Sequence, residues 1–256
     1  MIDFHLYKSL TAREIRERYH ASIGGLLWAF LLPLLLLAVY AFVFTKIFNA
    51  RFPGGSGQGF VPNLAVALWP WIAFSESLQR ASLAITANEA LIGKVAIPHE
   101  VLVYSTTSAT FLINLIGYVV VIAVLAISGV QFNWAGLLTA GWALLLVAIL
   151  TLSLALLAAA TQVFIRDLGH ALGAVLMLWF FSTPILYPLS AIPARYLGLL
   201  QLNPFAYLVS MLRQALLGAG YDFGVRDLLA GLGFVLMLLF SMLYFKRLSQ
   251  RFEDFL

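Results

Sequence analysis

Within residues 24–246 the chain carries six long apolar stretches with almost no charge inside them. A bilayer's hydrocarbon core takes about 20 consecutive apolar residues per helix, and a helix satisfies its own backbone hydrogen bonds there. The stretches cover residues 24–48, 63–87, 101–127, 134–164, 171–187 and 228–245. The expected fold is therefore all-α and membrane-integral. Six transmembrane helices form a bundle over residues 24–248, an amphipathic segment at residues 1–23 lies along the interface, and residues 1–256 make one domain. An even number of crossings returns both ends to the same side.

Composition narrows the reading. Hydrophobic residues make up 62% of the chain and charged residues only 10%, against about 25% charged in soluble domains. The net charge of +4 is spread around the helix ends, which fits membrane topology and excludes a nucleic-acid face. Lys8, Arg13, Arg16, Arg18, Lys94, Arg166, Lys246, Arg247 and Arg251 fall on one side; Lys46, Arg51, Arg195, Arg213 and Arg226 fall on the other. The positive-inside bias places both termini in the cytoplasm. With no cysteine there is neither a disulfide nor a thiolate metal site.

The connections differ from one another. Residues 53–59 form a glycine-rich outer loop; the Gly54-Gly55-Ser56-Gly57 match to an intramembrane protease pattern is fortuitous, because His5, His20, His99 and His170 all fall at the opposite ends of the helices. Near the N-terminus, Thr11 and Glu14 have the spacing of a capping box. Ala12, Ile15, Tyr19 and Ile23 then recur at helical spacing among cations, which predicts a short helix lying on anionic headgroups. Residues 87–100 make a cytoplasmic turn that is unusually apolar: Asn88 can cap one helical turn bearing Leu91 and Ile92, and Pro98 separates it from the next helix. That turn either docks a partner or folds back on the bundle. Residues 188–218 are apolar but interrupted by Pro188, Pro193, Arg195 and Asn203-Pro204, so they predict two short re-entrant helices dipping from outside.

Few polar side chains lie inside the crossings. Glu76 and Arg80 are four residues apart and face each other on one helix; such a pair either lines a path or holds neighbouring helices. Tyr104, Thr107, Thr110, Asn114 and Tyr118 form a polar stripe on the third crossing. Hydroxyls and amides of this kind commonly join membrane helices, and the sharper reading is a hydrophilic conduit wall. The sequence contains no phosphate-binding loop, no paired acids spaced for metal, and no nucleophile with a base. Transport is the function left, and the single intramembrane acid, already paired, favours a separate ATPase over ion coupling.

The order of these elements resembles the permease subunit of type-2 ABC exporters of polysaccharides, the O-antigen, capsule and teichoic acid group. The resemblance rests on Arg13-Glu14-Ile15-Arg16-Glu17-Arg18-Tyr19 before Leu26-Leu27-Trp28-Ala29 and Pro33, on residues 88–98, and on Arg166-Asp167-Leu168-Gly169-His170. Thr183-Pro184-Ile185-Leu186-Tyr187-Pro188 and Asn203-Pro204-Phe205 complete it. It implies a homodimer in the bacterial inner membrane with one shared channel for a lipid-linked glycan. It also implies two ABC ATPase subunits that supply ATP and Mg, so this chain is a transport subunit without cofactor or catalytic residue. Coupling to the ATPase would fall to Glu89, Leu91, Ile92, Lys94, Ile97 and Pro98 with Arg13 and Arg16. The path would be lined by Glu76, Arg80, Trp28, Phe30 and the polar stripe, and the outer gate formed by Tyr187, Asn203 and Phe205. Two other readings are export of drugs or small hydrophobic molecules by a related permease, and a stand-alone channel or secondary carrier.

Overall fold

The computed structural model describes residues 4–19, 27–47, 59–92, 97–218, 220–252 and 255. These residues are predominantly helical, and no strand occurs among them. The helices are α1 (Phe4–Tyr19), α2 (Leu27–Phe42, extended by a π-helical turn at Val43–Ile47), α3 (Phe60–Ser82), α4 (Glu89–Ile92) and α5 (His99–Ile127). They continue with α6 (Leu137–Phe164), α7 (Leu168–Ser182), α8 (Ala194–Gln201), α9 (Pro204–Leu217) and α10 (Val225–Ser249). The six apolar stretches coincide with α2, α3, α5, α6, α7 and α10. By length and composition, His99–Ile127, Trp134–Phe164 and Val225–Ser249 suffice to cross a membrane, whereas Leu34–Ile47 and Leu168–Ser182 are shorter apolar helices. Residues 53–58 of the outer glycine loop lie outside the described residues.

Helix α3 forms the centre. It packs against α5, α6 and α9, with α2 and α7 on its remaining side, and Leu64, Ala65, Val66, Ala67, Phe74 and Ala81 have no exposed surface. A helix apolar around most of its circumference is expected to be buried on every side. Pro70 stands inside this helix. Lacking an N–H, it leaves the carbonyl of Val66, four residues earlier, without its helical donor. The hydroxyl of Tyr118 on α5 donates to that carbonyl at 3.3 Å, so a neighbouring helix restores the missing bond.

Helix α1 corrects the sequence reading at its start. It begins at Phe4, and Thr11 lies in its middle, donating its hydroxyl to the Tyr7 carbonyl at 2.8 Å instead of capping. Leu10 and Thr11 are buried while Ala12 is exposed, so the inner face precedes the one expected and packs on α5. The two short helices expected after Pro188 are α8 and α9. They differ sharply: α8 is exposed along most of its length, whereas nine of the fourteen residues of α9 are buried. Close approach anchors α9. The Asn133 amide donates to the Leu216 carbonyl at 2.8 Å, and a Cβ on Gly136 would stand 1.9 Å from the Ala215 carbonyl oxygen, so only glycine fits there.

Candidate functional site

A groove of about 320 Å³ opens between α2, α3 and α7. Helix α3 supplies one wall with Leu68, Trp71, Ile72, Ser75 and Gln79; Tyr40 of α2 and Phe180 of α7 face it. The period of 3.6 puts residues 68, 72, 75 and 79 on one face of α3, which explains why two polar side chains share a wall with aliphatic ones. The end nearest α9 is aromatic. The Trp71 ring centre lies 5.7 Å from that of Phe180, 6.1 Å from Trp179 and 4.9 Å from Phe205. The exposed flanks of the groove are apolar, with Trp28, Leu32 and Leu35 on α2 and Met177, Leu178 and Phe181 on α7.

The side chains proposed from sequence for a path separate into two groups. Glu76 and Arg80 form an ion pair on α3 with Nε and Oε1 3.5 Å apart, both partly exposed. Asn114 of α5 donates to Glu76 Oε2 at 2.8 Å and to the Thr110 carbonyl at 3.0 Å. Thr107, Thr110, Asn114 and Tyr118 are all buried and Tyr104 half-buried. The two stripe residues that bond to another helix both reach α3, Asn114 through Glu76 and Tyr118 through Val66. Trp28 is 48% exposed on α2; the side chain of Phe30 lies outside the described residues.

At the α1 end, residues 86–92 form a 3₁₀ turn (Thr86–Asn88) and then α4. Arg13 Nη2 donates to Asn88 Oδ1 at 2.7 Å, and Asn88 Nδ2 donates to the Ala84 carbonyl at 2.9 Å. Asn88 thus ties α1 to the turn with its side chain. Leu91, Ile92 and Ile97 are half-buried against the core, while Glu89, Ala90 and Pro98 are exposed. Arg16 is exposed on α1, and Lys94 lies outside the described residues.

At the α9 end, Asn203 caps α9 by accepting from the amides of Phe205 and Ala206 at 3.0 and 3.3 Å. Pro204 follows at the first helical position, where a missing N–H costs nothing. The same oxygen accepts from Trp179 Nε1 at 2.9 Å, and Asn203 Nδ2 donates to Thr183 Oγ1 at 3.0 Å. Phe205 is fully buried, and the Tyr187 hydroxyl donates to the Phe181 carbonyl at 2.7 Å.

Two features here escaped the sequence reading. Arg213, counted there as an outer cation, turns inward from α9 and donates to the carbonyls of Asn63, Pro184 and Ile185 at 2.9, 2.5 and 2.7 Å. It joins the start of α3 to the segment after α7. Asp227, at the start of α10, accepts from the Tyr207 hydroxyl, from Tyr221 at 2.6 Å and from the Gly224 amide at 2.8 Å. The signal available for Arg213 was a lone cation within an apolar helical pattern, which is buried only when its donors are met.

Residues 5–217 match the profile of the ABC-2 type transporter membrane family. The chain belongs to this family. The O-antigen export system permease protein RfbA of Myxococcus xanthus is 36% identical over 208 residues, covering 79% of this chain and 76% of that protein. An O-antigen export system permease protein RfbA of Klebsiella pneumoniae is 26% identical over 257 residues, 99% of this chain and 95% of that one. The polysialic acid transport protein KpsM of Escherichia coli is 26% identical over 220 residues, 85% of this chain and 83% of that protein. The family match spans α1 to α9 of this ABC-2 chain, so the groove, the α4 turn and the Asn203 cap all fall within the shared region.

Proposed function

We propose that this chain is the permease of an ATP-driven exporter of lipid-linked polysaccharide. The groove between α2, α3 and α7 carries the proposal: it combines ring faces (Trp71, Tyr40, Phe180) with scattered hydrogen-bonding groups (Ser75, Gln79). Sugar C–H faces stack on aromatic rings, and sparse polar groups bind hydroxyls without demanding one glycan sequence. The names of the relatives above support that class of cargo over a small drug.

In this reading α2, α3, α5, α6, α7 and α10 cross the bacterial inner membrane with both termini cytoplasmic, and a second copy closes the groove into a channel against the exposed apolar flanks of α2 and α7. Glu76 and Arg80 stand near the cytoplasmic mouth, where the planar guanidinium suits a phosphate on the lipid carrier. The buried stripe from Tyr104 to Tyr118 supports this wall from behind, holding α5 to α3. Tyr187, Asn203 and Phe205 fix the outer gate by setting α9 against α7. Two ABC ATPase subunits, carrying ATP and Mg, dock at the α4 turn through Glu89, Ala90 and Pro98, with Arg13 and Arg16 alongside; Leu91, Ile92 and Ile97 form the seat beneath.

Bulk placed in the groove tests the proposal. Ser75→Trp and Gln79→Trp should abolish surface polysaccharide while the protein accumulates normally and still binds its ATPase. Ile116→Trp and Leu239→Trp, on exposed faces of α5 and α10, should leave export intact. Full export by both groove variants would place the path elsewhere.

A further inference from the structure

A second cavity of about 420 Å³ lies where α6 and α10 end, lined by Phe164, Arg247, Leu248, Gln250 and Arg251. Its composition is two-sided: Phe164 and Leu248 are apolar and half-buried, whereas Arg247, Gln250 and Arg251 are exposed. Arg247, in the last turn of α10, and Arg251, in the turn after Ser249, both line the same opening. Lys246 precedes them in the last turn of α10.

An aromatic nest fixes the shape of this end. Phe252 is fully buried, with ring centres of Phe245, His99 and Phe164 at 5.6, 5.4 and 6.0 Å. Phe255 stacks edge-on against Phe164 at 4.7 Å. Phe252 seats the residue next to it, so Arg251 is presented beside Arg247.

We propose that this cavity binds the headgroup of an anionic phospholipid. The placement rests on the topology proposed above, in which the ends of α6 and α10 meet the cytoplasmic headgroup layer. Arginine forks match phosphate oxygens two at a time, and basic pockets between helices on this side of a bilayer hold anionic headgroups. Phe164 and Leu248 meet the glycerol and first acyl carbons, which a free phosphate would not use. The site is separate from the groove, and His99 links it by one ring contact to the first turn of α5, directly after Ile97 and Pro98. A lipid held here would brace the segment that follows the α4 turn.

The test is native mass spectrometry of the detergent-purified full-length chain titrated with phosphatidylglycerol, with phosphatidylcholine, or with phosphatidylglycerol in the presence of millimolar inorganic phosphate. The wild type should retain phosphatidylglycerol in preference to phosphatidylcholine, and inorganic phosphate should not displace it. Arg247→Gln with Arg251→Gln should weaken binding about 30-fold, which is about 2 kcal/mol, the scale of one headgroup contact per cation. Arg247→Lys with Arg251→Lys, which keeps the charge and loses the planar fork, should bind between the wild type and the glutamine pair. Lys46→Gln with Arg195→Gln, which removes the same charge from the opposite side, should bind like the wild type. Equal affinity in the Arg247/Arg251 glutamine pair, equal retention of phosphatidylcholine, or displacement by inorganic phosphate would overturn the assignment. Transport enters none of these measurements, so a failed export assay leaves the result standing.

Discussion

Replacing Arg213 probes the joint that fixes α9 within the bundle. Its guanidinium donates to three carbonyls, those of Asn63, Pro184 and Ile185, at 2.9, 2.5 and 2.7 Å. Hydrogen bonds to a charged group contribute about 1.5–3 kcal/mol each, already net of exchange with water, and bonds that share one guanidinium do not add independently. Arg213→Met should therefore destabilise by about 3 kcal/mol, the upper value for a single such bond. For a chain near this length that corresponds to a fall in melting temperature of roughly 6–12 °C. Arg213→Lys separates this account from a topological one. Lysine keeps the charge and its desolvation cost, yet a compact ammonium on a different stem lacks the planar fork that spans carboxy-terminal carbonyls of one segment and the first turn of another. It should be no more stable than Arg213→Met. Tryptophan fluorescence during heating in detergent reads both variants, with Trp71 and Trp179 close to the joint. A lysine variant that melts with the wild type would refute the reasoning and return Arg213 to the role of an outer charge.

Three smaller perturbations follow from named contacts. Tyr118→Phe leaves the Val66 carbonyl opposite Pro70 without a donor and should cost about 1 kcal/mol, whereas Pro70→Ala with Tyr118→Phe should recover that loss because the helix regains its own N–H; thermal melts of the single and double variants check this. Gly136→Ala forces a Cβ into the Ala215 carbonyl and should cost about 1–3 kcal/mol, with a lowered yield of folded protein in detergent as the readout. Arg13→Ala breaks the bond between α1 and Asn88 and should reduce copurification of the ATPase while the protein still inserts; full copurification would show that the turn is positioned without α1.

The sequence made the apolar elements legible because membrane helices must be long, apolar and internally bonded, and those demands leave few alternatives for residues 101–127 or 134–164. Asn203-Pro204 also carried its own meaning, a capping side chain followed by a residue without an N–H. Thr11 misled because a threonine three residues before a glutamate fits a capping box as well as it fits a mid-helix hydroxyl bonded to the carbonyl four residues back. The polar stripe on α5 was visible as a periodicity, but periodicity gives the shared face and not what it faces. Tyr118 illustrates the difference, since its partner is a carbonyl freed by a proline 48 residues earlier in the chain. Arg213 was harder still: its acceptors lie 150, 29 and 28 residues away, and nothing local brings them together. Ser75 and Gln79 were unremarked for the same reason, being ordinary polar residues until α2 and α7 close around them.

The central claim is that ATP hydrolysis on a partner drives polysaccharide through this chain. The direct measurement is transfer of a radiolabelled lipid-linked glycan across proteoliposomes holding the purified permease and its ATPase, compared with vesicles lacking ATP, lacking the ATPase, or carrying Ser75→Trp in the permease. The account predicts protected glycan only in the complete wild-type system. Transfer of equal extent without ATP or without the ATPase would contradict it, as would a complete system that hydrolyses ATP and moves no glycan.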